Sequence, residues 1–138
     1  MHAAISASQW LHLSGISLAL SASACDTAFA AMEHARTQGT QIAFDSNLRL
    51  SLWPLARAQA CIGQAVSLCD LFLPSIEDMT ALTGLTQAQD IIQWSHDHGA
   101  AQVVLKLGAE GALASNGKVI HQVPGHQVTA LDATGAGD

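Results

Sequence analysis

The sequence has no tyrosine at all, and aromatic residues make up only 4% of its 138 positions. Trp10, Trp53 and Trp94 are scattered, so they read as core or rim packing and not as a platform for stacking bases. Basic residues are scarce as well: five Lys and Arg stand against eleven Asp and Glu, a net charge of −6. Such a surface repels polyanions, which excludes a charge-driven nucleic-acid binder and requires any phosphate to be held locally. Cysteine is limited to Cys25, Cys61 and Cys69, an odd number without metal-like spacing. That fits reduced thiols in a cytoplasmic protein better than a disulfide framework. Long apolar runs are missing too, so no membrane span is expected. The opening "WLHLSGISLALSASAC" resembles a secretory leader, with Ala22-Ser23-Ala24 like a cleavage site before Cys25. Against that reading, the first 35 residues contain no Lys or Arg, and His12, Ser14, Gly15 and Ser17 interrupt the apolar run.

What the chain does have is apolar residues, 49% of the total against 12% charged, which argues for a packed core over disorder. At this length roughly two-thirds of the unfolded surface can be buried. "QWLHLSGI" (9–16) is a mostly apolar run, as for a strand buried on both faces of a parallel sheet. "CDTAFAAMEHARTQG" reads as a helix, with Asp26 or Thr27 as N-cap and Gly39 as its stop. "TQIAFD" (40–45) is the next strand, "LARAQACIGQAVSLCD" the next helix and "LFLP" (71–74) a short strand. Helices near 76–83 and 87–98 follow, ended by Gly84 and Gly99. "QVVLKLG" (102–108) is a valine-rich strand, and "GALASNGKVIHQV" a hairpin turning at Asn116-Gly117. Alternating βα units followed by a hairpin predict an α/β sandwich with a mostly parallel sheet. No linker or repeat interrupts residues 1–138, which read as one domain piece. That piece is expected to be incomplete, since it ends where a helix should begin.

Three stretches carry chemistry. In "DATGAGD" (132–138), Gly135 and Gly137 free the backbone for positive φ and close approach of a ligand. A helix beginning there would aim unpaired N–H groups and its positive dipole end at an anion. Asp138 in the same turn would repel a bound phosphate, so its presence suits a general base. Read alone, the heptapeptide fits equally a Gly-rich loop that merely opens a helix. In "FDSNLRLSLWP" (44–54), Asp45, Asn47 and Arg49 alternate just beyond a strand's carboxyl end, where open α/β sheets place their ligands. Arg49 brings a planar fork suited to carboxylate or phosphate. A solvated loop with Trp53 packed on the core is the plain alternative. "KLGAEG" (106–111) follows the valine-rich strand, and Lys106 is within reach of a phosphate there, but the stretch lacks Walker A spacing and reads as well as a strand-to-hairpin turn. His96 and His98 lie at i, i+2, on different faces of a helix end, where a positive charge suits the dipole; a metal site is not expected from them.

Taken together, "DATGAGD" and the ordered segments "FDSNLR", "LPSIEDMTALTG" and "KLGAEG" resemble the PfkB, or ribokinase-like, carbohydrate kinases, from about residue 10 onward. "HLSGI" with "FDSNLRLSLWP" most resembles the 2-keto-3-deoxygluconate kinases within that family. The resemblance implies a three-layer α/β/α sandwich, incomplete here, holding the nucleotide- and phosphate-binding portion of the kinase. It implies Asp138 as catalytic base on the sugar hydroxyl and the backbone of Gly135, Ala136 and Gly137 as the anion hole for the γ-phosphoryl. Arg49 would lie between sugar acid and nucleotide, with Asn47 close to the phosphates and Leu48 also counted with the nucleotide-binding residues. Lys106, Leu107, Gly108, Ala109, Glu110 and Gly111 would form part of the ATP site. Backbone carbonyls of Asp132 and Thr134 would offer a site to a monovalent cation.

One departure concerns the metal. The family's Asn-x-x-Glu becomes Ser75 and Asp78 in "PSIEDM", which keeps an oxygen at each place but shortens the acid by one methylene. Mg²⁺ positioning thus falls to Asp78, with Glu77 either its substitute or a first-turn helix acid. The expected partners are ATP and a small sugar acid, with no nucleic acid and no membrane, and a homo-oligomer is open to the full-length protein. A fructokinase or ribokinase of the same fold and a non-catalytic fragment are the competing readings. Family members are longer at both ends, so the 138-residue chain alone is expected to be nearly inactive.

Overall fold

A computed structural model describes residues 1–136. It contains a six-stranded mixed sheet in the order β1 (Trp10–Ser14), β2 (Gln41–Asp45), β3 (Leu71–Leu73), β4 (Gln102–Lys106), β5 (Ala112–Ser115) and β6 (Ile120–Val123). The first four strands are parallel, β5 pairs antiparallel with β4, and β6 pairs antiparallel with β5. Between them come α1 (His2–Ser6), α2 (Gly15–Ala19), α3 (Ala22–Gln38), α4 (Leu55–Leu68), α5 (Ile76–Thr83) and α6 (Ala88–Asp97).

Strand order equals chain order from β1 to β4, so successive right-handed crossovers all fall on one face of the sheet. Accordingly α3, α4, α5 and α6 pack side by side, with α1 and α2 against α3. That face holds the core: Ile42, Phe44, Phe72, Val103 and Leu105 are fully buried beneath Met32, Ile62, Val66, Met79 and Ile91. Phe44 and Phe72 stack across the β2–β3 pair with ring centroids 6.1 Å apart. The alternate residues Leu71, Leu73 and Val104 point to the other face and stay half-exposed. Of the three expected layers, the sheet and one helical layer lie among the described residues.

The helix-ending glycines behave as read: Gly39 and Gly84 are left-handed caps at φ 75° and 79°, and Gly99 turns at φ 114°. Three boundaries differ from the sequence expectation. α3 starts at Ala22, a turn before Asp26, because Ser21 Oγ accepts from the Ala24 N–H at 3.0 Å and completes the cap. The strand expected to reach Ile16 ends at Ser14, since Gly15 opens α2. Gly15 sits against the loop after β2, where a Cβ would overlap the carbonyl oxygen of Ser46. β4 ends at Lys106 and gives way to a 3-10 turn, Gly108–Glu110. α1 was not foreseen; five residues are too few to show a period, and it is held by buried Ile5, whose carbonyl accepts from Thr40 Oγ1 at 2.9 Å.

Two further glycines route the chain back toward the carboxyl edge of the sheet. A Cβ on Gly111 would overlap the Val123 carbonyl, and one on Gly125 the Ala109 carbonyl. The segment leaving the hairpin therefore crosses directly over the 108–111 turn.

The same substitution should act oppositely at two sites. Gly15→Ala is expected to destabilise by about 1–3 kcal/mol, because backbone must move. Gly63→Ala, in the middle of α4 with open space around it, is expected to stabilise by about 0.5–1 kcal/mol. Urea melts of the two variants check the signs.

Candidate active site

Every parallel strand contributes at its carboxyl end to one cleft of about 380 Å3. Ile16 comes from beyond β1, Asp45, Asn47 and Arg49 from β2 and its loop, Ser75, Glu77 and Asp78 from beyond β3, and Lys106 and Gly108 from β4. Ala133, Gly135 and Ala136 close it from the returning chain. The crevice lies where an open α/β sheet presents strand ends to a ligand.

The loop after β2 is tightly specified. Asp45 is 6% exposed, and its Oδ1 accepts the backbone N–H of Asn47 at 3.0 Å. This turn leaves Asn47 at φ 32°, a backbone region that asparagine tolerates better than most side chains. The other oxygen of Asp45 pairs with Lys106 Nζ at 2.7 Å, reaching over β3. Asp78 holds the next residues: its Oδ2 accepts from Ser46 Oγ at 2.7 Å and from the Leu48 N–H at 3.0 Å. Ser75 Oγ in turn accepts the Asp78 N–H at 3.1 Å and caps α5. Arg49 is exposed, and its Nη1 donates to the Leu48 carbonyl at 2.9 Å, which orients the guanidinium at the cleft rim.

On the returning chain Asp132 Oδ1 accepts both the N–H and the hydroxyl of Thr134, at 2.8 and 2.7 Å. The backbone N–H of Thr134, then its hydroxyl, hold the Asp132 carboxyl below its ordinary pKa. Gly135 follows at φ 74°, and the Ala136 N–H donates to the Ala133 carbonyl at 3.0 Å, closing a turn.

Of the residues singled out in the sequence, Asn47, Arg49, Asp78, Lys106, Gly108, Gly135 and Ala136 meet in this cleft. Leu48 is buried in the core instead, and its contribution at the loop is its backbone N–H. Leu107, Ala109, Glu110 and Gly111 form the turn beside the cleft, which the Leu107 N–H closes by donating to the Gly111 carbonyl at 2.8 Å. Gly137 and Asp138, the expected base, lie outside the described residues. Among the described residues no group of three His, Cys, Asp or Glu side chains is placed to hold a metal. His96 joins α6 to the sheet, with Nδ1 2.8 Å from the Ala100 carbonyl and Nε2 2.8 Å from Ser115 Oγ. His98 points elsewhere and stacks on Trp94 at 3.7 Å.

Sequence reasoning missed Ser46 and the Asp45–Lys106 pair. Ser46 is 1% exposed and touches Asp78, 32 positions away, a distance across which no local pattern speaks.

A mixed sheet whose parallel strand ends, a helix's acidic first turn and a Gly-rich return meeting at one cleft define a ribokinase-like α/β protein. The profile of the pfkB family carbohydrate kinase matches residues 2–138, and the chain belongs to that family. It is 38% identical over 130 residues to the 2-dehydro-3-deoxygluconokinase of Bacillus subtilis (strain 168), covering 93% of this chain and 40% of that one. It is 36% identical over 133 residues to a fructokinase of Escherichia coli, covering 94% and 43%. The crystal structure of fructokinase from Vibrio cholerae O395, in a fructose, ADP and calcium ion bound form, superposes with a TM-score of 0.85 at 33% identity, covering 94% and 42%. The chain thus spans about two-fifths of the length of these relatives. Among the described residues no helix is long and apolar enough to cross a membrane.

Asp78→Ala should destabilise the protein by about 1–3 kcal/mol, since it strands the Ser46 hydroxyl and the Leu48 N–H. Asp78→Asn keeps one carbonyl oxygen for these donors and should cost less. Denaturant melts of both variants give the comparison.

Proposed function

We propose that the whole protein is an ATP-dependent kinase of 2-keto-3-deoxygluconate, in the cytoplasm, and that this chain carries part of its phosphate-handling site. The observation that carries the reading is the meeting of Arg49, Lys106 and the Gly135-Ala136 turn at one cleft. Arg49 would pair with the carboxylate of the sugar acid, a charge-assisted contact that a neutral sugar cannot make. Asn47, Lys106 and the 108–111 turn would face the nucleotide. The backbone of residues 135–137 would meet the charge developing on the transferring phosphoryl group, where one donor is worth on the order of 10²–10³ in rate. Asp138 would take the proton of the attacking hydroxyl. Positioning and electrostatics carry most of such a transfer.

The donors near α5 suit Mg²⁺: Ser75, Glu77 and Asp78 offer hard oxygens at the cleft. Oδ2 of Asp78 already accepts two hydrogen bonds, so Asp78 would contribute through its remaining oxygen, with Glu77 beside it. When bound, the ion supplies charge neutralisation between the nucleotide phosphates. The carbonyls of Asp132 and Thr134 are the proposed monovalent-cation ligands.

Fructose is the competing acceptor, because the fructokinase relative stands at nearly the same identity as the deoxygluconokinase. In the whole protein, Arg49→Ala should raise KM for the sugar acid by about 10–100-fold, the worth of a hydrogen bond to a charged group. A Michaelis series with both sugars decides: preference for fructose that ignores Arg49 would transfer the reading to a fructokinase.

Asp138→Asn should lose about 10²–10⁴ of kcat while ATP affinity is kept. Coupled measurement of ADP release beside nucleotide titration checks this, and turnover like the unsubstituted protein would remove Asp138 from the base role.

A further inference from the structure

Outside the cleft, two nucleophilic side chains stand together without a role in phosphoryl transfer. Cys25 on α3 and Cys61 on α4 face each other across the helix pair, the Cys25 thiol donating to Cys61 Sγ at 3.9 Å. Alanines line both helices beside them, Ala28 and Ala31 on α3, Ala58 and Ala65 on α4, all buried. Small side chains let the two backbones approach closely, which a bridge between cysteines requires. Cys25 is 6% exposed, whereas Cys61 is half-buried and reachable from solvent. Burial, and then the neighbouring Cys61 sulfur, push the Cys25 thiol up, while Arg57 on α4 acts the other way.

The third cysteine is an internal contrast. Cys69 is buried, its thiol donates to the Val66 carbonyl at 3.3 Å, and burial pushes its pKa to about 12. A buried thiol held in its neutral form is a poor nucleophile.

We propose that Cys25 and Cys61 form a thiol pair that hydroperoxides convert reversibly to a disulfide joining α3 to α4, with Cys69 left reduced. The accessible Cys61 thiolate attacks the O–O bond, giving a sulfenic acid on Cys61 and releasing water or an alcohol. The sulfur of Cys25, 3.9 Å away, then attacks the Cys61 sulfur; the S–S bond forms, the S–O bond breaks, and the hydroxide leaves as water with the Cys25 proton. Two thiols give up two electrons, and the peroxide takes them. A dithiol reductant reverses the change by exchange. The bridge closes a segment of 36 positions and needs the sulfurs to approach by roughly 2 Å.

The test treats the purified protein with hydrogen peroxide under native conditions, followed by alkylation after unfolding, digestion and mass measurement. Oxidised native protein should yield the Cys25 and Cys61 segments joined with a loss of about 2 Da, should keep Cys69 alkylatable, and should regain the thiols of Cys25 and Cys61 with dithiothreitol. Cys69→Ser should lose the same mass, whereas Cys25→Ser and Cys61→Ser should form no internal bridge. The proposal fails if the native protein loses no mass. It fails equally if Cys69→Ser abolishes the loss, or if either of the other variants still closes a bridge.

Discussion

One carboxylate oxygen fixes the geometry of the cleft. Oδ2 of Asp78 accepts from Ser46 and from the Leu48 N–H, so the first turn of α5 clamps the loop that carries Asn47 and Arg49. The clamp is possible because Ser75 caps α5 and sets the direction of its first turn. It is reinforced from the other side by Gly15, whose missing Cβ lets the end of β1 lie against the Ser46 carbonyl. Two acids with short reach, Asp45 and Asp78, thus hold a loop that would otherwise have exposed backbone and no regular partners. Both are primarily structural in what they touch, although both line the cleft.

How much of this the sequence disclosed depends on the range of the interaction involved. The parallel sheet, the hairpin at Asn116-Gly117 and the glycine stops were legible because periodicity and turn chemistry are local. Asn116 Oδ1 indeed accepts the N–H groups of Lys118 and Val119, at 3.0 and 2.9 Å. The start of α3 was misplaced because Ser21, Asp26 and Thr27 are all competent caps, and only packing chooses among them. Asp45 and Arg49 were recognisable as candidates from their position after a strand. That Lys106 would answer Asp45 was not, since the pair spans 61 positions and an intervening strand. Asp78 was read as a metal residue because of its motif; the two hydrogen bonds that occupy one of its oxygens come from a loop elsewhere in the chain.

Near-equal likeness to a deoxygluconokinase and a fructokinase has a physical basis. The sheet, its helices and their caps serve any sugar kinase of this fold, and they make up most of the chain. Discrimination between an acid sugar and a neutral one needs little more than a cation at the right place. Under the proposed function Arg49, exposed at the rim, would be that cation.

The charge balance within the cleft sharpens the same point. Asp45, Glu77 and Asp78 face Lys106 and Arg49, in a protein already carrying a net −6. Lys106 is held against Asp45 at 2.7 Å, so much of its field is neutralised before any ligand arrives. An anion approaching this site finds attraction from Arg49 and repulsion from the first turn of α5. Under the proposed function a polyphosphate would therefore bind only where its charge is partly cancelled on arrival, whereas a monoanionic sugar acid would need Arg49 alone. On that proposal a cation held by the hard oxygens of α5 would cancel the repulsion for a polyphosphate, while the guanidinium of Arg49 would suffice for a singly charged acid.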